Sequence, residues 1–266
     1  MKKAEGYPNH DLYLFQIIGY SDPMKNIFIA DAHLRQPNDD NYQLLLHFLS
    51  EIRGKAKKLF ILGDLFEFWI GYNEKNFPHY FPLLDSLVKL AESGVEIVYF
   101  EGNHDFHLGK FFSENLRATI YTEPAIVEID GKQVYVCHGD LINSRDYGYR
   151  LFRFLLHNPV TKALFPLFPA ALVFRIANNL SNRSKKHHQK RNIKKDYDRM
   201  LRKFADNQFR NGCDAVVTAH FHYPHLSVAE NGNTLLSLGD WITQFTYGEF
   251  SAEKFSLHRY RYDVPL

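Results

Sequence analysis

The chain has 266 residues, of which 45% are hydrophobic and 23% charged, with a formal net charge of +2. That length carries one α/β domain with a large core and a sizeable insertion, and that composition excludes a disordered chain. The near-neutral balance selects no partner, although cations crowd between residues 183 and 203.

Residues 1–24 read as an N-terminal extension ahead of a domain spanning 25–266. The apolar run Leu12–Tyr20 lacks a small-residue cleavage site, so no signal peptide is expected. Met24 lies just before the first core strand, and two readings stay open. It is a natural start, or the preceding residues are a tail packed on the domain. No stretch reaches the roughly 20 apolar residues that span a bilayer. Cys137 and Cys213 lie in apolar strand-like contexts and are expected as buried thiols, not as a disulfide framework.

Apolar runs of strand length then recur, each ending in polar residues. Ile27–Ala30 ends at Asp31, Leu59–Leu62 at Gly63-Asp64, and Val95–Phe100 at Gly102-Asn103-His104-Asp105. Between them, residues 40–53 and 80–92 have helical spacing, as in Leu44, Leu45, Phe48, Leu49 and Ile52. This β-α-β-α-β alternation is the pattern of a layered α/β fold. Ala125–Ile129 and Gln133–Cys137 flank Asp130-Gly131, a strong hairpin signal. Val216–Thr218 precedes His220-Phe221-His222. A second hairpin is expected around Asn231-Gly232, leading into Leu235–Leu238. Residues 141–211 break the rhythm and read as a mostly helical insertion, interrupted by Pro159, Pro166 and Pro169.

The polar residues after these strands form one chemical set: Asp31, His33, Asp64, Asn103, His138, His220 and His222. Open α/β sheets gather their sites at the carboxyl ends of the strands, where loops remote in sequence converge. Carboxylate and amide oxygens with imidazoles suit a pair of borderline-hard divalent ions, and the absence of cysteine argues against a structural zinc site. Asp64 is the bridging candidate, because Gly63 lets the backbone approach closely. Singly, each signal is weak: Asp31-x-His33 recurs by chance, and His138 alone is an ordinary hydrogen-bonded histidine. The ordered set of Asp-x-His, Gly-Asp, Gly-Asn-His-Asp, His-Gly-Asp and His-x-His carries the reading.

On these motifs, residues 25–140 and 212–260 resemble the calcineurin-like metallophosphoesterase superfamily. The resemblance implies a metallophosphoesterase β-sandwich flanked by helices. It also implies one metal held by Asp31, His33, Asp64 and His222, and a second by Asp64, Asn103, His138 and His220. His104 is then expected beside the substrate, donating to a phosphoryl oxygen or protonating the leaving group. The alternative for His104 is a supporting histidine fixed by Asp105.

A narrower resemblance lies in Asp31-Ala32-His33-Leu34, in Gly63-Asp64-Leu65-Phe66-Glu67-Phe68-Trp69-Ile70-Gly71 and in Leu238-Gly239-Asp240-Trp241. These are similar to the family of UDP-2,3-diacylglucosamine pyrophosphohydrolases of lipid A biosynthesis. That family implies water attack at the α-phosphate, release of UMP and 2,3-diacylglucosamine 1-phosphate, and two divalent ions, manganese by preference. It also implies a cytoplasmic protein, peripheral on the inner membrane, whose helical lid takes the acyl chains. The 141–211 insertion matches such a lid. Within it, residues 163–174 are apolar but too short to span a membrane; with Arg153, Lys162 and Arg175 around them they suit an interfacial or acyl-binding surface, the alternative being an ordinary buried helix. Arg183, Lys185, Lys186, Lys190, Arg191, Lys194 and Lys195 would draw the chain to anionic lipid; a solvated basic face or a nucleic-acid patch is the alternative, although no nucleic-acid partner is expected. Asn103, His104 and His220 are also expected to touch substrate, as are Asp146 and Ser184 by their match to the family's contacts. The family's best-known members carry Arg where this chain has His104. Another metallophosphoesterase activity, or a non-catalytic module on the same fold, are the competing readings.

Overall fold

The computed structural model of the chain describes residues 24–71, 77–144, 147–158, 160 and 194–261. The first strand, β1 (Lys25–Ile29), is buried on both sides. Side chains alternate across a strand, so its apolar run serves two cores. Ile27 and Ile29 point into one, while Phe28 and Ala30 point into the other. The same division holds in β2 (Ala56–Ile61), where Leu59 and Ile61 oppose Phe60 and Leu62. In β4 (Glu96–Phe100), Ile97 and Tyr99 oppose Val98 and Phe100. Strands buried on both faces read as continuous hydrophobic runs, as these do.

Helices α1 (Asp40–Glu51) and α2 (Phe81–Glu92) cover the first core, the former through Tyr42, Leu45, Phe48 and Leu49, the latter through Leu83, Leu84, Leu87 and Leu90. Each such side chain contributes roughly 1.5–3 kcal/mol on full burial. The second core lies between two sheets. One sheet has the order β13-β12-β1-β2-β4-β6, adding β6 (Thr119–Tyr121), β12 (Thr246–Ser251) and β13 (Lys254–Arg259). The other has the order β10-β11-β9-β8-β7, from β7 (Ala125–Ile129), β8 (Lys132–Val136), β9 (Ala215–Thr218), β10 (His225–Val228) and β11 (Thr234–Ser237). On the outer side of that second sheet, Val216 and Leu235 pack against Leu201 and Ala205 of α4 (Lys194–Arg210). The architecture is therefore the expected β-sandwich flanked by helices.

Both predicted hairpins form. β7 and β8 pair antiparallel across Asp130-Gly131, and β10 and β11 pair across Asn231-Gly232. A short parallel pair, β3 (Trp69–Ile70) and β5 (Asp105–Phe106), links the loops after β2 and β4. Of the insertion, α4 and α3 (Tyr147–His157) fall among the described residues. Asp146, Ser184, the apolar run 163–174 and the N-terminal extension before Met24 lie outside them. No helix among the described residues is long and apolar enough to cross a membrane.

Candidate metal centre

All seven candidate ligands lie just past strand ends of the two sheets: Asp31 and His33 after β1, Asp64 after β2, Asn103 after β4, His138 after β8, His220 and His222 after β9. The loops are forced into close approach. A Cβ at Gly63 would lie 2.6 Å from Gly102 Cα and 2.8 Å from His138 Nδ1, and one at Gly102 would lie 2.3 Å from Asp64 Oδ1. Only glycine fits there, which is the physical content of the Gly-Asp and Gly-Asn-His-Asp spacings. Five candidates are themselves held in the left-handed region: Asp31 (φ 53°), His33 (44°), Asp64 (54°), His220 (71°) and His222 (49°). Such conformations cost on the order of 1–3 kcal/mol each and cluster at functional sites.

The donor atoms converge in three groups, each with its atoms within 4.8 Å of one another: Asp31 with His33 and His222, Asp64 with His138 and His220, and His33 with Asp64 and His104. Asp64 Oδ2 sits 3.6 Å from His33 Nε2 and 3.5 Å from His138 Nε2, so one carboxylate faces both sides of the centre. His138 Nδ1 lies 2.6 Å from the Leu62 carbonyl. A carbonyl only accepts, so the ring donates there and directs Nε2 inward. That Nε2 lies 3.1 Å from Asn103 Oδ1 and 3.2 Å from His220 Nδ1. On the other side, Asp31 Oδ1 stands 3.8 Å from His222 Nε2 and 4.0 Å from His33 Nε2.

A divalent cation fits this set. Asp31 is fully buried; its Oδ2 accepts the His220 backbone N–H at 2.8 Å, while its Oδ1 accepts no hydrogen bond. Burial pushes its carboxyl up to about 6, against the pull of His222 and His138 and with Asp64 adding to the rise. Asp64 is equally enclosed, yet His138, His104 and His33 outweigh burial and bring it well below the usual carboxylate range. Burial, with His138 beside it, lowers His220 to about 4 and keeps its ring neutral, as a ligand must be. The enclosed carboxylates thus face lone pairs across a gap in which a cation relieves their repulsion.

His104 sits at the edge of the centre, its ring edge-on to His33 at 4.6 Å between centroids. Its backbone N–H donates to Asp64 Oδ1 at 2.9 Å, and its Nδ1 lies 2.7 Å from the Glu67 carbonyl. The alternative in which Asp105 fixes His104 is corrected here: the Glu67 carbonyl holds the ring. Asp105 instead accepts the backbone N–H groups of Asp64, Gly102 and Leu65 and the Tyr99 hydroxyl, tying the β2 and β4 loops together.

Three supporting carboxylates have no counterpart in the expected set. Asp240 Oδ2 faces His222 Nδ1 at 3.4 Å, Glu67 Oε2 faces His33 Nδ1 at 3.8 Å, and Asp140 receives the Tyr149 hydroxyl and Arg153. A carboxylate hydrogen-bonded behind a candidate imidazole, as Asp240 is behind His222, fixes ring orientation and tautomer. Each sits in a motif noted for resemblance, Gly239-Asp240-Trp241, the Gly63–Gly71 run and His138-Gly139-Asp140, and the strand-end positions were the signal available for them.

The calcineurin-like phosphoesterase family profile matches residues 24–224. A protein of Neisseria meningitidis named UDP-2,3-diacylglucosamine hydrolase is 32% identical over 220 residues, covering 82% of this chain and 90% of its own. A protein of the same name from Aeromonas hydrophila is 31% identical over 230 residues, covering 83% and 92%. Another, from Aliivibrio fischeri, is 28% identical and covers 89% and 98%. Among solved structures, an archaeal phosphodiesterase aligns at 13% identity with a TM-score of 0.46, over 88% of this chain and 99% of that one. The chain is a metal-dependent hydrolase that belongs to the calcineurin-like phosphoesterase family and groups there with the UDP-2,3-diacylglucosamine hydrolases.

Proposed function

We propose that the chain hydrolyses the diphosphate of UDP-2,3-diacylglucosamine to UMP and 2,3-diacylglucosamine 1-phosphate, using two manganese ions. The observation that carries this is the convergence of two donor groups on one shared carboxylate, Asp64, in a chain about 30% identical over most of its length to proteins named for that substrate. Asp31, His33, Asp64 and His222 would hold one ion, and Asp64, Asn103, His138 and His220 the other. When bound, such a pair supplies Lewis acidity to the phosphoryl oxygens and lowers the pKa of the attacking water. The chain's own part is positioning, which is most of what phosphoryl transfer asks of a protein. Asn103 and His220 lie beside His138, and the His220 ring stands 6.4 Å from that of Tyr149 on α3; a substrate phosphate would enter on this side. The Glu67 carbonyl keeps the His104 Nδ1 proton in place, so the ring turns Nε2 toward the centre. From there it would donate to a phosphoryl oxygen. The leaving group is the phosphate of 2,3-diacylglucosamine 1-phosphate, which needs little proton donation, so His104 would serve in place of arginine.

Residues 141–211 form the lid in this reading, with α3 and α4 as its described limbs. Four large apolar side chains of α3, Tyr147, Leu151, Phe154 and Leu155, are exposed. Their exposure supports contact with acyl chains or with the cytoplasmic face of an anionic inner membrane, where the 183–195 cations would also act. Asp146 and Ser184 would contact substrate from the same insertion.

The test is hydrolysis of UDP-2,3-diacylglucosamine with manganese, beside CDP-diacylglycerol and an aryl phosphodiester. Release of UMP far faster than turnover of either control is expected. Preference for the aryl diester, with no UMP formed, would make the chain a different phosphoesterase.

A further inference from the structure

Helix α3 has two faces of opposite chemistry. On one, Arg153 is buried and its guanidinium meets three acceptors on two separate segments. Nε lies 2.9 Å from Asp140 Oδ2, Nη1 donates to Glu123 Oε1 at 2.8 Å, and Nη2 donates to the Thr122 carbonyl at 2.8 Å. One turn earlier, the Tyr149 hydroxyl donates to the same Asp140 Oδ2 at 2.5 Å. Asp140 is buried two residues past His138, on the loop that carries this candidate ligand. On the other face, Tyr147, Leu151 and Phe154 are 77%, 60% and 65% exposed, at the spacing of one helix side.

A planar fork satisfied by three fixed acceptors sets direction as well as distance, which a single ammonium would not. Such a buried ion pair adds little net stability over well-packed apolar side chains of similar volume, and its best-attested use is to fix registry. Arg153 touches no candidate ligand, yet it joins the loop of one to the helix that presents the apolar face.

We infer that Arg153 is a positioning residue that keys α3 to the metal loop, so that binding energy gathered on the exposed face of α3 acts on the diphosphate at the centre. Energy from parts of a substrate remote from the reacting bond accelerates the reaction only where it is used for orientation there. Loosening the fork uncouples the two. The inference rests on the acylated substrate proposed above, and it places the effect of Arg153 on use of the acyl chains and not on the hydrolytic step.

The experiment compares wild type, Arg153→Met, Arg153→Lys and Glu123→Ala, each as the full chain with manganese. It uses UDP-2,3-diacylglucosamine and bis(4-nitrophenyl) phosphate as substrates, and follows amide hydrogen exchange of residues 147–157. Arg153→Met is expected to lose at least about tenfold in kcat/KM on the acylated substrate, with the aryl diester within about twofold of wild type and faster exchange in α3. Arg153→Lys, keeping charge without the fork, should fall between. Glu123→Ala removes one exposed acceptor and leaves the other two, so it should show the same pattern more weakly, even where Arg153→Met fails to fold. Equal loss on both substrates, or no loss on either in the soluble variants, would overturn the inference. Wild type that leaves UDP-2,3-diacylglucosamine intact while cleaving the diester would overturn the substrate reading first, and this inference with it.

Discussion

Asp240 Oδ2 lies 3.4 Å from His222 Nδ1, and this contact turns the opposite ring nitrogen toward Asp31. Asp240 is itself fixed, because its Oδ1 accepts the backbone N–H groups of Ile242, Thr243 and Gln244. Burial opposes its ionisation, but the His222 contact and those N–H groups outweigh it and hold its carboxyl at about 2. Asp240→Asn keeps the shape and loses the charge. It should weaken metal binding by roughly 10–100-fold, read by metal titration of the apo-protein, with circular dichroism unchanged. Unaltered affinity would leave His222 positioned by the backbone alone.

His104 is expected to act on substrate without holding metal. His104→Ala should therefore lower kcat by roughly 10²–10⁴, with metal content per chain unchanged. His104→Arg should recover part of the activity on the diphosphate. Because a His104 donor also lies within 4.8 Å of those of His33 and Asp64, loss of one metal in the alanine variant would make it a ligand instead.

Asp105 joins the loops after β2 and β4 through four accepted hydrogen bonds. Asp105→Ala leaves the Asp64 and Leu65 N–H groups and the Tyr99 hydroxyl buried without this acceptor, at about 1–3 kcal/mol each, while the Gly102 N–H keeps the Asp105 backbone carbonyl at 3.2 Å. A loss of about 3 kcal/mol or more is expected in urea unfolding. A loss below about 1 kcal/mol would mean that water or a neighbouring group satisfies them.

The exposed face of α3 makes the opposite prediction. Leu151→Ser with Phe154→Ser should leave stability within roughly 0.5 kcal/mol of wild type, as exposed positions do. Activity on UDP-2,3-diacylglucosamine should fall while aryl diester hydrolysis stays level. If both activities and the melting temperature drop together, that face is covered by the rest of the chain.

The sandwich was legible wherever a strand is buried on both faces. Ile27–Ala30, Leu59–Leu62 and Val216–Thr218 read as apolar runs because each run serves two cores. The strands β12 and β13 gave no such signal. Gly248 and Glu249 interrupt the apolar pattern, and the turn between the strands is Ala252-Glu253, both at positive φ without glycine or asparagine to announce it. The candidate ligands were legible from residue type and place at strand ends. The carboxylates behind them were not: Asp240 and Glu67 face His222 and His33 across 18 and 34 residues, which no local spacing records. Asp105 adjoins His104 in sequence, but its carboxylate turns to the β2 loop and the Glu67 carbonyl meets the ring.

The central claim is that two metals share Asp64. Its most direct test is the metal content per chain, by elemental analysis of wild type and Asp64→Asn, read beside turnover and circular dichroism. The account predicts two manganese ions in wild type, and a folded variant that holds at most one and has almost no turnover. Two ions and near-wild-type turnover in Asp64→Asn would contradict it.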